Sequence, residues 1–91
     1  MSYKFDSLLE ILNKLDNGEK ITVHSLIDDL EMSERTIHRY IRALQTARFP
    51  ICYDKKKDSY VFEKGYSLKK PYISVEEQLA FALAKNLLKN L

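Results

Sequence analysis

Arg35, Arg39 and Arg42 stand four and three residues apart, the spacing that lines side chains up along one face of a helix. A guanidinium is a planar fork of donors that matches guanine O6 and N7, and also phosphate oxygens. Thr36 and His38 share this side of the segment. Ser33 precedes it, where a short hydroxyl side chain caps a helix and the exposed N–H groups of the first turn attract a phosphate. Further on, Lys55, Lys56 and Lys57 form an unbroken basic run. Lysines in a turn act as point charges that add affinity for a polyanion without reading sequence. The candidate binding residues are therefore Ser33, Arg35, Thr36, His38, Arg39, Arg42, Lys55, Lys56 and Lys57. The plain alternatives are a solvated helix face, a polar turn kept soluble and, for His38, an exposed bystander.

Charge division along the chain favours binding. Residues 33–58 hold seven Lys/Arg against three acids, a net +4, whereas the rest holds eight against ten, a net −2. A local excess of this kind points to a polyanionic partner better than the overall +2 does. The same residues give little support to catalysis. Two glycines leave no Gly-rich phosphate loop, and no nucleophile sits in a catalytic motif. One cysteine and two histidines suggest no metal site, so no cofactor and no metal are expected. The single Cys52 excludes an internal disulfide and fits a reducing cytoplasm. The longest apolar run, Leu79–Ala84, is six residues, far short of a membrane span. The first residues lack the apolar run of a secretory signal.

Ninety-one residues make one small domain, and periodicity divides it. Leu8, Ile11, Leu12 and Leu15, with Phe5 a turn earlier, form one helical stripe that Gly18 stops. After an extended link, Lys20–Thr22, Thr22 caps a short helix carrying Val23, Leu26, Ile27 and Leu30, with His24 on its outer side. Glu31-Met32-Ser33 is the turn. A third helix, Glu34 to about Ala47, repeats the stripe with Ile37, Tyr40, Ile41 and Leu44. Helix, three-residue turn and helix is a helix-turn-helix arrangement. Pro50 then ends the helical stretch. Ile51-Cys52-Tyr53 and Tyr60-Val61-Phe62 read as strands around the lysine turn. Cys52 is expected to pack as a small apolar residue. Tyr53, Tyr60, Tyr66 and Tyr72 are expected to pack the hairpin onto the helices rather than to stack on bases. The fold class is mainly α with a small β-hairpin: a winged helix-turn-helix, three helices plus a wing, over residues 1–63.

Residues 64–91 read as a connector and a C-terminal linker or dimerisation helix. Ser74-Val75-Glu76-Glu77 matches the S-x-x-E capping box and opens that helix. Its apolar residues surround most of the axis, so burial on more than one side is expected. Leu79, Phe81, Leu83, Leu87 and Leu88 are the expected dimerisation residues. A homodimer through this helix, or a longer protein with a further C-terminal domain, would cover them. A protein-interaction or assembly module acting through this helix is the alternative function.

Ser33-Glu34-Arg35-Thr36-Ile37-His38-Arg39-Tyr40-Ile41-Arg42-Ala43-Leu44 resembles the recognition helix of bacterial DeoR-like, or helix-turn-helix type 11, winged helices, which read S-x-R-T-[IV]-x-R-D-[IL]-x-x-L. Pro50–Asp54, the lysine turn and Ser59–Phe62 resemble that family's P-I-x-Y-D wing ending in G-G-Y-x-L. Tyr66-Ser67-Leu68 and the helix from Ser74 resemble the link to a WYL ligand-sensing domain. Three positions differ: Tyr40 stands in place of an acid, Arg48-Phe49 where a glycine precedes Pro-Ile, and Asp58-Ser59 in place of a glycine pair. The resemblance implies a transcription regulator that binds double-stranded DNA as a dimer in the bacterial cytoplasm, at the nucleoid. By the same resemblance, Ser33, Arg35, Thr36 and Arg39 are DNA contacts.

Overall fold

Helix α1 spans Tyr3–Asp16, and the apolar stripe read from the sequence is its buried face: Leu8, Ile11, Leu12 and Leu15. In the computed structural model, which describes residues 3–89 and side chains over 4–86, this stripe forms the floor of the core. α1 ends in a paired backbone closure. Glu19 N–H donates to the Lys14 carbonyl (3.2 Å) and Gly18 N–H to the Leu15 carbonyl (3.1 Å), with Gly18 at φ +72°.

α2 (Val23–Leu30) starts at Thr22, whose hydroxyl accepts from Ser25 N–H at 2.9 Å while Ser25 Oγ accepts from Thr22 N–H at 2.9 Å. Such reciprocal capping satisfies two helix-end donors at once. Lys14 Nζ lies 3.0 Å from Asp29 of α2 and 3.4 Å from Glu19. The hydrogen bond to Asp29, ahead of a smaller opposing effect of burial, holds the Lys14 ammonium above its ordinary pKa. α2 ends at Glu31, which adopts φ +54°, the left-handed conformation a glycine usually supplies. α3 (Glu34–Thr46) then packs on α2 and α1 through Ile37, Ile41 and Leu44. Each such side chain contributes about 1.5–3 kcal/mol when fully buried.

Two antiparallel strands, β1 (Ile51–Asp54) and β2 (Ser59–Phe62), make the wing, in the register Ile51 with Phe62 and Asp54 with Ser59. The extended link joins it. Tyr60 N–H donates to the Ile21 carbonyl (2.8 Å), and Ile21 N–H donates to Ser59 Oγ (2.7 Å). Ser59 is almost wholly buried and its hydroxyl donates to the Tyr60 carbonyl, so both of its roles are filled.

Beyond the wing, Asp16 Oδ1 accepts from Leu68 N–H (2.8 Å), which pins the connector to the end of α1. Phe62 and Tyr66 meet edge to face at 4.9 Å. Burial, and behind it the nearby Asp16 carboxylate, raises the pKa of the Tyr66 phenol. α4 (Val75–Lys89) opens with the expected box: Glu77 N–H to Ser74 Oγ, and Ser74 N–H to Glu77 Oε1, both 3.1 Å. Leu68 and Leu79 belong to the same core as α1–α3, so one core serves residues on both sides of position 63.

Three expectations need correction. Cys52 is exposed, because in β1 Ile51 takes the core side and its neighbour faces away. Tyr53 is exposed and Tyr72 is 93% exposed; neither packs the wing onto the helices, whereas Tyr60 and Tyr66 do border the core. Leu79 is fully buried within its own chain and offers nothing to a partner.

Candidate nucleic-acid interface

α3 is held by its apolar side. Ile37, Ile41 and Leu44 are buried, and Arg35, His38, Arg39 and Arg42 are exposed. Ser33 caps the helix with Oγ accepting from Thr36 N–H at 3.2 Å, and the two hydroxyls lie 3.1 Å apart. Thr36 is half-buried. Glu34 follows the cap directly, and its carboxylate lies 3.8 Å from His38 Nε2, one turn on.

Gln45 lies on the exposed side of α3, where a polar residue is expected to meet solvent. Its Nε2 instead donates to the Ile51 carbonyl at 3.0 Å, tying the last turn of α3 to the first residue of the wing. Between the two elements lie only Ala47–Pro50, and Arg48 among them adopts φ +79°. The sequence carried a faint signal for that geometry: Arg48-Phe49 stands before the Pro-Ile pair, where the related motif has a glycine.

The wing tip is wound by side chains rather than by glycine. Asp54 Oδ1 accepts from Lys56 N–H (2.9 Å) and Lys57 N–H (3.3 Å), and Asp58 turns the chain at φ +51°. An aspartate bonded to backbone two and three residues on mimics a backbone turn, and Asn and Asp tolerate this left-handed conformation better than most residues. The Tyr53 hydroxyl donates to Asp58 and braces the same tip. Lys55, Lys56 and Lys57 all stand exposed on it.

A family model described as an HTH domain matches residues 7–67. The match begins in α1 and runs through the helix-turn-helix, the wing and the start of the connector, about two-thirds of the chain.

The chain belongs to the HTH domain family.

No curated protein and no solved structure matches it. Its helix-turn-helix is the α2–turn–α3 unit, and the family is one of DNA-binding domains rather than of enzymes. Four helices and a two-stranded hairpin give this HTH domain the winged form expected from its sequence. Among the described residues no helix is long and apolar enough to cross a membrane.

The residues named for dimerisation divide. Leu79 is core, as stated above. Leu83 is half-buried against the core, and Phe81 is 69% exposed. The side chains of Leu87 and Leu88 lie outside the described residues. Tyr72, which the sequence suggested would pack, and Ile73, which carried no signal there, are both exposed in the connector ahead of Phe81.

Proposed function

We propose that this chain is the sequence-specific DNA-reading part of a bacterial transcription regulator, working at the nucleoid in the cytoplasm. α3 enters the major groove of double-stranded DNA, and the lysine wing grips the flanking backbone or the adjacent minor groove. The observation that carries this reading is the division of α3. Its arginines project from a helix whose opposite side is sealed into the core, so the donors are presented at fixed depth.

Arg35, Thr36 and Arg39 are the base readers, Ser33 and the first N–H groups of α3 meet a phosphate, and Lys55–Lys57 supply charge. If about four to six basic groups neutralise phosphates, log K falls against log salt with a slope of roughly −4 to −5. Selection from random duplexes followed by gel shifts tests the assignment. Arg35→Ala and Arg39→Ala should each relax one base position and cost about 1–3 kcal/mol there. Lys56→Ala should weaken all duplexes alike. Equal losses on every sequence for both arginine variants would remove the base-reading role.

The protein acts as a homodimer, with residues 1–63 reading DNA and 64–91 joining two copies. Support comes from the exposed apolar residues Tyr72, Ile73 and Phe81, the last two lining one groove.

A further inference from the structure

A groove of about 380 Å³ runs beside the arginine face, lined by Lys4, Arg39, Tyr40, Arg42, Ala43, Thr46, Leu83 and Asn86. Three cations from two helices converge on it, and its lining contains no carboxylate. Among the described residues none of the three forms an ion pair. Tyr40, Thr46 and Asn86 add a phenol, a hydroxyl and an amide; Ala43 and Leu83 are apolar. Two other grooves differ in kind. The one between the wing and the end of α1 mixes Lys20, Lys57 and Lys64 with Asp16, Glu19 and Glu63. The one on the outer side of α1 sets Asp6, Glu10 and Glu19 around Lys14. Two further grooves are acid-free: a smaller one adjoins at Thr46 and Asn86 and holds Arg48 and Lys85, and another holds Arg48, Lys70 and Lys85, but its lining includes Phe49, Ile73 and Phe81 and shares no residue with the groove beside the arginines.

Like charges gathered without a counter-ion repel one another, and a phosphate relieves that repulsion while accepting several charge-assisted hydrogen bonds. We propose that this groove seats a phosphodiester of the DNA strand bordering the major groove, held by Lys4 and Arg42 with Arg39 at its edge. The proposal rests on the DNA-binding reading above and deepens it. It gives the start of α1 and the Leu83–Asn86 stretch of α4 a place in the interface, and it makes Arg42 a backbone contact rather than a base reader. A contact of this kind carries no sequence information but fixes how α3 is registered in the groove.

The test is fluorescence anisotropy with the full chain. It uses the selected duplex and an unrelated duplex, between about 50 and 200 mM salt. Lys4→Ala should weaken both duplexes by the same factor, about three- to tenfold, and flatten the salt slope by about 0.9. Lys4→Glu should do more, and Arg42→Ala should behave like Lys4→Ala. Sequence preference should survive in all three. Lys70→Glu, on the acid-free groove that shares no residue with this one, controls for net charge and should cost clearly less than Lys4→Glu. Lys4 is exposed, so melting curves should match wild type and remove misfolding as a cause. Wild-type affinity and slope in Lys4→Glu, or a loss no larger than that of Lys70→Glu, would overturn the phosphate seat while leaving the DNA reading intact. A wild-type chain with no duplex affinity would overturn both.

Discussion

Among the described residues three adopt left-handed backbone without being glycine: Glu31 after α2, Arg48 after α3 and Asp58 at the wing tip. For a residue with a Cβ this conformation costs about 1–2 kcal/mol, part of which glycine returns in chain entropy. Asp58 has a partner in Tyr53, and Asp54 winds the turn around it, so the tip is supported. Arg48 is an exposed residue at φ +79° in a four-residue hinge. Arg48→Gly should therefore raise stability by about 0.5–1 kcal/mol in urea denaturation. An unchanged or lower midpoint would show that the arginine side chain offsets its backbone. Tyr66 makes a pH prediction. Burial and then Asp16 raise its pKa, so the folded state favours the neutral phenol. The stability this contributes is full below the unfolded pKa near 10 and is lost as pH rises through the folded value. Lys14, also raised, loses its share in the same alkaline window. Tyr66→Phe keeps the edge-to-face partner of Phe62 but removes the ionisation. Its melting temperature should decline less than that of wild type above about pH 10, and parallel decline would refute the assignment.

At the scale of elements, the joints matter more than the rods. The periodic stripes of α1, α2 and α3, the Thr22 and Ser33 caps and the Ser74–Glu77 box were legible because each is a local pattern with one solution. The link from Ile21 to the wing was not, because a hydrogen bond between residues 38 positions apart leaves no local trace. Nor was the Gln45 bond to Ile51, since an amide on a polar face looks like any solvated side chain. The α4 helix hid the burial of Leu79 for another reason. Apolar nearly all round, it gave no single face, so Leu79 and Phe81 looked alike although one is buried and the other exposed. At the candidate site, the arginine spacing could be read directly, whereas Lys4 could not be joined to it before the helices were packed. Ser59 tests the most distant joint. Ser59→Ala leaves the Ile21 N–H buried without its acceptor, which costs about 1–3 kcal/mol. In a domain this size the melting temperature should fall by about 4–8 °C per kcal/mol. The wing should also become more protease-sensitive than α1, and a melting curve identical to wild type would show that water replaces the hydroxyl.

For the whole molecule, α4 has two sides with different duties. Leu79 closes the core, while Phe81 shares an exposed groove with Ile73. One recognition helix samples too short a stretch of groove to select a site alone, and two-fold dimers solve this by reading half-sites about 34–36 Å apart. Opposite outcomes are then expected from two neighbouring substitutions. Leu79→Ala should cost about 2–5 kcal/mol and lower the single unfolding transition of the entire domain. Phe81→Ser should change monomer stability by less than about 0.5 kcal/mol, as surface substitutions do. It should instead shift sedimentation equilibrium toward monomer and weaken binding to a symmetric duplex far more than to a single half-site. If Phe81→Ser leaves both measurements at wild-type values while the wild type is dimeric, the joining surface lies elsewhere, and α4 serves the core and the phosphate groove alone.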